Sequence, residues 1–457
     1  MKDFTEGKIS KPLIGFAAPM VVGNLFQQLY SIVDAIVVGR YVGGGALAAI
    51  GVSMSAVMFI VATLIGLTTG ASIVISQFFG AKQFDRLKSA VSVSIIFMAG
   101  LSVVLTVLGV IFAPYILRLL NTDPEIFDDA LLYMRILMSG VIFPVFYNMY
   151  TAYLRALGDS KRPLYILIFT VILSGVLTLY LVIYQGLGVT GAAVSTIFAQ
   201  FVAVILCFLY SRRYVPLLRV EKLKFDVELF RLIIKYGAPA AVQMSLVSLA
   251  GLFITGLINM FGPAAMAGIT AVMRIDQLAI MPVSTLSMAM STFVAQNMGA
   301  DKEDRAIRCF KISMVYMVLF AVFVSVVLMI FGDNLVSLFL NQNDVGSAEI
   351  LRIGTNYLNR MVIFYFMFAI LFSFNAFFRG VGDAKIAMVF PAISLSIRTI
   401  AAYVMVLLLG MGPEALAWSI PMGWGVSGFL SWIYYKKRRW AGKTATQKIG
   451  NDSESEN

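Results

Sequence analysis

The sequence predicts an all-α membrane protein with twelve transmembrane helices in two six-helix lobes, related by a pseudo-two-fold axis along the membrane normal. Three observations predict it: twelve long apolar runs, basic residues concentrated in alternate connections, and four local motifs that recur about 220 residues apart. Of the 457 residues 60% are apolar and 13% are charged, whereas soluble domains are about a quarter charged. This composition excludes a soluble enzyme and a secreted disulfide scaffold.

The twelve apolar runs are each long enough to cross a hydrocarbon core about 30 Å thick, and the connections between them are short. The predicted spans are 13–38, 46–78, 90–113, 130–154, 163–184, 188–210, 232–261, 264–296, 309–331, 349–377, 386–410 and 413–435.

Charge placement predicts the topology. Most of the 35 lysines and arginines lie at the N-terminus, in the even-numbered connections and at the C-terminus, while the odd-numbered connections carry acids such as Asp123, Glu125 and Asp333. By the positive-inside rule both termini are cytoplasmic. The net charge of +11 is therefore a topology signal, and we expect no nucleic-acid partner. Asp3 and Glu6 precede a run too long for the core of a cleavable signal peptide.

Four motifs show that the chain repeats one unit of six spans. The repeated pairs are Ala18-Pro19 with Ala238-Pro239, Gln77…Gly80-Ala81…Arg86 with Gln296…Gly299-Ala300…Arg305, Leu120-Asn121 with Leu340-Asn341, and Arg155…Gly158-Asp159…Lys161 with Arg379…Gly382-Asp383…Lys385. An even number of spans returns the chain to the same side, so both copies share one orientation. This arrangement is typical of parallel-repeat transporters. The alternative is that duplication only enlarged a membrane scaffold.

The repeat predicts the domain boundaries. We expect an N-terminal six-helix lobe over 1–210, a cytoplasmic linker over 211–235, a C-terminal lobe over 236–435, and a basic then polar cytoplasmic tail over 436–457. The Gly-Asp loops occur in both copies, so we interpret them as scaffold in which glycine permits a tight turn. Residues present in only one copy are better candidates for function.

Two intramembrane carboxylates lack a counterpart in the other copy. At an offset of 220, Asp34 corresponds to Ile254 and Asp276 corresponds to Ala56. Intramembrane carboxylates are costly and usually functional. Because the chain has no histidine, proton handling must use such groups.

Asp34 ends a polar stripe along the first span. The stripe consists of Asn24, Gln27, Gln28, Ser31 and Asp34. Steps of three and four residues put these side chains on one face of a helix, which must then face protein or water. Alternating exposure of Asp34 to the two sides would load and unload a proton or a small cation. The alternative is a buried, hydrogen-bonded structural acid.

The second carboxylate, Asp276, lies near the middle of span 8 beside Arg274. Two residues apart on a helix, the two side chains point to nearly opposite faces, so they are not expected to pair. Arg274 shares a face with Gln277. We weigh two readings of Asp276 equally: binding of a cationic substrate or ion, and a salt bridge to Arg398 or Arg360.

Several kinds of chemistry are excluded or not indicated. Cys207 and Cys309 are isolated in or beside apolar runs, so neither a disulfide framework nor a thiolate metal site is predicted. There is no Gly-Lys-Ser/Thr phosphate loop, so ATP does not drive this chain. We expect no cofactor and no bound metal beyond a coupling ion, and no enzymatic activity.

The chain resembles the multidrug and toxic-compound extrusion (MATE) family over residues 10–435. The first helix and its loop carry Gln27-Gln28-Leu29-Tyr30-Ser31-Ile32-Val33-Asp34, Val38-Gly39-Arg40 and Ala46-Leu47-Ala48-Ala49. Span 8 carries Arg274-Ile275-Asp276, Met281-Pro282 and Ser291-Thr292-Phe293-Val294-Ala295-Gln296-Asn297. The combination is much more specific than any single motif.

The resemblance implies a monomeric antiporter of a prokaryotic plasma membrane that confers antibiotic resistance by expelling cationic amphipathic compounds in exchange for protons or sodium. It implies that Asp34 is the coupling carboxylate, that Pro19 marks a helix bend, and that Thr196 belongs to a cation site. Tyr30 lies in the same first-helix motif. We assign the substrate cavity to Asn24, Gln27, Gln28, Tyr30, Ser31, Arg274, Asp276, Gln277 and Asn375.

The sequence departs from the family at two places. Where many members carry an Asn and an Asp four residues apart in span 5, this chain has Ser174 and Thr178. Span 10 lacks the acid that some members use for sodium, and Asn375 is the nearest polar residue. Hard cations prefer several oxygen ligands including charged ones, so proton coupling through Asp34 is favoured over sodium.

Two other functions are weighed against efflux. A lipid-linked sugar flippase of the same superfamily would need a strongly cationic cavity, and only four arginines (Arg135, Arg274, Arg360 and Arg398) fall within spans. An integral-membrane transferase would need clustered catalytic groups at an interface, and the sequence shows none.

Overall fold

The computed structural model describes residues 2–220, 222–339 and 346–447, except the side chains of Val33, Ala56 and Phe59. The repeated motif residues Leu340 and Asn341, and the tail beyond 447, lie outside the described residues. Within the described ranges the chain is helical and has no strands, which confirms the predicted all-α fold class.

Fourteen α-helices are described. The first seven are α1 (Ser10–Tyr41), α2 (Gly44–Gly80), α3 (Phe84–Leu119), α4 (Pro124–Ser139), α5 (Ile142–Ala156), α6 (Lys161–Leu179) and α7 (Gly188–Tyr214). The second seven are α8 (Val227–Asn259), α9 (Gly262–Gly299), α10 (Glu303–Ser337), α11 (Ser347–Val362), α12 (Tyr365–Val381), α13 (Ala384–Tyr403) and α14 (Glu414–Lys436).

The two sets of seven helices repeat the same order. In each, three long helices precede a bent pair, then a helix that ends in a π-helical turn (Tyr180–Tyr184 or Val404–Leu408), then a last helix. The bent pairs are α4 with α5 at 47° and α11 with α12 at 52°. The prediction of continuous spans over 130–154 and 349–377 was therefore wrong in this detail. Each is broken by two residues, at Gly140-Val141 and at Ile363-Phe364.

The number of membrane-crossing segments agrees with twelve. In the described part of the chain, nine single helices are long and apolar enough to cross a membrane, and each bent pair adds one span to give eleven. The remaining helix, α14, has 23 residues and packs against α12 and α13. Small and polar residues such as Ser419, Gly423 and Ser427 lower its hydropathy. We count it as the twelfth span.

The chain divides into two compact units. Unit 1 contains residues 2–3 and 18–241, and unit 2 contains residues 4–17 and 242 onward. The first turns of α1 thus group with the second half of the chain, and the first turns of α8 group with the first half. The domain boundaries expected from the sequence assigned each helix whole to one lobe, and they remain a prediction.

Small residues attach the start of α8 to α2 inside unit 1. A Cβ built on Gly66 would lie 2.4 Å from the backbone nitrogen of Ala241, and one on Gly70 would lie 2.3 Å from that of Gly237. Gly66 and Gly70 are four residues apart on α2, and Gly237 and Ala241 are four residues apart on α8. Small residues at this spacing let two membrane helices approach until their backbones are in contact. A side chain at Gly66 or Gly70 would force the helices apart.

The N-terminal segment fills a site in unit 2. The Phe4 ring is buried and stacks on Phe293 at 3.7 Å between centroids. Its backbone nitrogen donates to Gln296 Oε1 at 3.0 Å, and its carbonyl accepts from Arg305. Gln296 and Arg305 belong to a repeated motif, which here anchors the chain end.

The Gly-Asp loops have the scaffold character predicted for them. Gly158 and Gly382 have φ of +80° and +91°, the left-handed region that favours glycine. Asp159 Oδ2 accepts from the Tyr210 hydroxyl at 3.2 Å, and Asp383 Oδ2 accepts from the Tyr434 hydroxyl at 2.6 Å. Each acid thus fastens the loop to the last helix of its half, 51 residues further on.

Candidate functional site

The predicted polar stripe of α1 lies in unit 1 from Asn24 onward. Gln27 and Ser31 are exposed, Asn24, Gln28, Tyr30 and Asp34 are half-buried, and Ser31 Oγ donates to the Gln27 carbonyl at 3.1 Å. Pro19 lies inside α1, which continues as a helix on both sides of it. It is the second residue of the part of α1 that belongs to unit 1.

Asp34 is joined to two other helices through one threonine. Thr178 Oγ1 on α6 lies 3.4 Å from Asp34 Oδ1 and 2.6 Å from Ser195 Oγ on α7. Ser195 Oγ also lies 2.9 Å from the carbonyl of Ala192. Because Thr178 has a single hydroxyl proton, it accepts from Ser195 while it donates to Asp34, and it can donate to Ser195 only when it does not donate to Asp34. Thr178 and Ser195 are buried, so the carboxylate is held by hydroxyls in the low-dielectric interior of unit 1.

Tyr30 occupies the next position along the same groove. Its hydroxyl lies 2.6 Å from Ser174 Oγ, and Thr178 and Thr196 are also hydrogen-bonding neighbours of that hydroxyl. Ser174 and Thr178 are four residues apart on α6, so both face α1. The structure therefore brings together Tyr30, Asp34, Ser174, Thr178 and Thr196, five residues selected from the sequence.

Two residues of this cluster were not selected from the sequence. Ser195 is the second hydrogen-bond partner of Thr178, and Tyr133 on α4 lies close enough to both Asp34 and Tyr30 to interact with them electrostatically. Tyr133 is packed in an apolar cluster with residues of α2, α4 and α7. Adjacency to Thr196 could have drawn attention to Ser195, whereas Tyr133 gave no sequence signal.

The ligand set around Asp34 is one carboxylate and several hydroxyls. In the ranges that the structure describes, no three His, Cys, Asp or Glu side chains cluster as metal ligands. Hard cations are held by several oxygen ligands, including charged ones. A proton needs only one carboxylate to bind it. One carboxylate surrounded by hydroxyls therefore suits a proton better than a sodium ion.

The second intramembrane acid, Asp276, is bound by a tyrosine in unit 2. The Tyr365 hydroxyl on α12 donates to Asp276 Oδ1 at 2.6 Å, and Tyr357 and Arg398 are electrostatic neighbours. The alternative of a salt bridge to Arg360 is not observed among the described residues, where Arg360 Nη1 instead lies 3.9 Å from Glu414 Oε2. Within the described residues Arg398 makes no ion pair with Asp276, and its Nε is buried without a hydrogen-bond partner.

The remaining cavity candidates are not brought together. Arg274 and Gln277 on α9 are exposed. Asn375 is buried in α12, where its amide donates to the carbonyl of Ala387 on α13. That contact explains Asn375 as a link between two helices.

An apolar cavity of about 580 Å³ lies within unit 2 between α10, α12 and α14. Thioethers and aromatic rings line most of it: Met314, Phe366, Met367, Trp424, Phe429 and Trp432. Such side chains repack around ligands of different shape.

Fold and site together define a multi-pass helical transporter built from two like halves, each with one half-buried intramembrane carboxylate. The family model described as MatE matches residues 19–181 and 239–404, one block in each half, and the chain belongs to this family.

Named relatives and solved structures agree with that family. The chain is 28% identical to "Probable multidrug resistance protein YpnP" of Bacillus subtilis strain 168, over 98% of this chain and 99% of the relative. It is 31% identical to "Probable multidrug resistance protein YoeA" of the same strain, over 74% and 76%. A solved structure described as the outward-facing conformation of a multidrug resistance MATE family transporter of the MOP superfamily matches with a TM-score of 0.88 at 22% identity, over 96% and 98%. This last likeness shows the fold alone.

Proposed function

We propose that this protein exports cationic amphipathic compounds across the plasma membrane of a prokaryote in exchange for protons that bind Asp34. The observation that carries the proposal is the hydrogen-bonded path from Asp34 through Thr178 to Ser195. The path gives Asp34 defined hydrogen-bond partners. The directions of these hydrogen bonds depend on whether Asp34 is charged or protonated. We further propose a monomer with both termini in the cytoplasm, as the charge distribution predicts.

Protonation changes what Asp34 can do in this network. As a carboxylate it only accepts hydrogen bonds, so Thr178 can donate to it; as an acid it also becomes a donor. The Thr178 hydroxyl then no longer needs to point at α1. In the proposed cycle, protonation from outside repacks α1, narrows the cavity of the N-terminal lobe and releases the drug, and loss of the proton inside restores the binding state.

The proton gradient supplies enough free energy for this exchange. Each pH unit is worth about 1.4 kcal/mol per proton. Exchange of one proton for one monovalent cation moves no net charge, so the membrane potential adds about 2.3 kcal/mol per 100 mV only for each proton moved in excess of the drug's charge. One proton therefore supports roughly tenfold or greater accumulation of a drug, because tenfold costs about 1.4 kcal/mol.

The test is efflux of ethidium from proteoliposomes with a pH gradient or a sodium gradient imposed separately. Wild type, Asp34→Asn and Asp129→Asn are compared, since Asp129 is an exposed carboxylate near the start of α4 and serves as the matched control. We expect transport by wild type and Asp129→Asn under the pH gradient alone, and none by Asp34→Asn.

Each other outcome contradicts a stated part of the proposal. Sodium-driven transport would show that Ser174, Thr178 and Thr196 form a cation site with Asp34. Normal transport by Asp34→Asn would move the coupling site to Asp276. Absence of transport under both gradients would favour the flippase function.

A further inference from the structure

The segment after α7 covers two adjoining cavities in unit 1. It includes a short 3₁₀ turn at Pro216–Leu218 that packs against α3, and it contacts α3 again at Lys224. Ser92 of α3 fixes its end, because Ser92 Oγ donates to the Lys224 carbonyl at 2.9 Å and accepts from the Lys224 nitrogen at 2.8 Å. The segment is thus held against α3 at Lys224 by bonds within the protein.

The first cavity is small and basic. It has a volume of about 340 Å³. Its polar lining is Lys88, Ser89, Ser92, Arg219, Lys222 and Lys224. None of its described lining residues is acidic. The nearby Glu228 pairs with Arg86 at 4.0 Å, and Glu221, which the sequence adds to this segment, lies outside the described residues. Four cations around one cavity indicate an anionic ligand.

The second cavity is larger and mostly apolar. It has a volume of about 660 Å³, and Arg219 and Val220 belong to both cavities. Its apolar lining is Ile95, Phe146, Val204, Phe208, Leu218 and Leu223. A basic cavity that opens beside an apolar one matches a molecule with an anionic head and a hydrocarbon tail.

The wall of the apolar cavity contains a buried hydroxyl. Ser211 lines the apolar cavity beside Arg212, is 2% exposed, and its Oγ has no hydrogen-bond partner in the described structure. Buried hydroxyls are normally hydrogen-bonded, so an unpaired one in a cavity wall indicates a missing polar partner. The ester carbonyl of a glycerolipid is such a partner.

We propose that these cavities form a binding site for one anionic glycerophospholipid. Its phosphate contacts Lys88, Arg219 and Lys222, an acyl chain occupies the apolar cavity, and an ester oxygen accepts from Ser211. The basic lining repels the cationic drugs of the proposed transport cycle. A free phosphate would fit the basic cavity alone and would leave the apolar cavity empty, whereas a lipid would occupy both. The positive-inside rule places this segment at the cytoplasmic leaflet, where anionic lipids attract basic residues.

The test is native mass spectrometry of the purified full-length protein with added phosphatidylglycerol or phosphatidylcholine of identical chains. We expect wild type to retain phosphatidylglycerol and to bind phosphatidylcholine at least about tenfold more weakly. Arg219→Gln/Lys222→Gln/Lys224→Gln should lose that preference. The matched control is Arg308→Gln/Lys311→Gln/Lys437→Gln, which removes three exposed cations of unit 2 and should bind as wild type.

A second pair of variants keeps the proposal testable if the charge variant does not fold. Val204→Trp should place an indole ring in the path of the acyl chain and weaken binding at least severalfold with every cation in place, and Ser211→Ala should also weaken binding severalfold. Equal binding of both lipids by wild type, or an equal loss in the control variant, would overturn the proposal. Displacement of the lipid by inorganic phosphate at comparable concentration would also overturn it, because the ligand would then be a free anion.

Discussion

The hydroxyl of Thr178 lies 3.4 Å from Asp34 Oδ1 and 2.6 Å from Ser195 Oγ, so one threonine joins the carboxylate of α1 to α7. This relationship makes the packing of α1 depend on whether Asp34 carries a proton. It is also the contact that substitution can test with the least disturbance, because valine has nearly the shape of threonine.

Thr178→Val should slow pH-driven efflux by roughly three- to tenfold, because it removes the donor to Asp34, worth about 1 kcal/mol. Thr178→Ser restores a hydroxyl and should retain most of the rate. The measurement is the initial rate of ethidium efflux at several external pH values. Thr255→Val is the control, since Thr255 is exposed and bonds only its own helix. Equal rates for wild type and Thr178→Val would remove Thr178 from the coupling path.

The Tyr30–Ser174 hydrogen bond should contribute measurably to the stability of unit 1. At 2.6 Å between the two oxygens it connects α1 to α6. A double-mutant cycle of Tyr30→Phe and Ser174→Ala should give a coupling free energy of about 0.6–1.5 kcal/mol, as for other hydrogen bonds between membrane helices. The free energy of unfolding in mixed micelles is the quantity to measure. Strict additivity of the two single variants would show that the bond contributes nothing.

Tyr365→Phe should destabilise unit 2 by about 1–3 kcal/mol, because it leaves the Asp276 carboxylate without its hydroxyl donor. Thermal unfolding in detergent checks this, with the exposed Tyr184→Phe as a control that should match wild type.

Asp276→Asn should still transport under a pH gradient, since Asp34 carries the proton. A folded Asp276→Asn protein that no longer responds to pH would instead make Asp276 part of the coupling.

Lys443 should stabilise the end of α14 in a pH-dependent way. Its Nζ donates to Asp383 Oδ2 at 2.6 Å and to the Tyr434 hydroxyl at 2.8 Å. Burial lowers the pKa of Lys443, but these bonds outweigh burial and the net shift raises it. The stabilisation is therefore fully present below the ordinary lysine pKa of about 10.4 and is lost as pH rises through the higher folded value.

The variant that tests this contact is Lys443→Gln. It should cost about 1–2 kcal/mol at neutral pH, and the difference from wild type should shrink above about pH 10. The exposed Lys437→Gln is the control. A difference that grows with pH in this range would contradict the assignment.

Periodicity and repetition in the sequence predicted much of the fold, because helix length, apolar runs and turn glycines are local properties. The repeated Gly-Asp loops did adopt positive φ at Gly158 and Gly382. The break inside the tenth span was missed for a physical reason, whereas the break inside the fourth span coincides with Gly140. Ile363-Phe364 carries neither glycine nor proline, so only packing against neighbouring helices makes the helix bend there.

The site was predictable where a face of one helix carries the signal. Asp34 follows from the stripe on α1, and Tyr30, Ser174 and Thr178 follow from the family resemblance. Their hydrogen bonds could not be predicted from one sequence, because Thr178 and Asp34 are 144 residues apart. The same holds for Tyr365, which binds Asp276 across 89 residues and lies in an aromatic stretch without any distinguishing pattern.

The central claim, that drug and proton compete through Asp34, is tested most directly by substrate-induced proton release. Ethidium is added to purified protein in weakly buffered detergent solution, and a pH indicator records the protons released. The account predicts release from wild type and from Asp129→Asn, and none from Asp34→Asn at the same drug occupancy. Release from Asp34→Asn equal to that of wild type would contradict it.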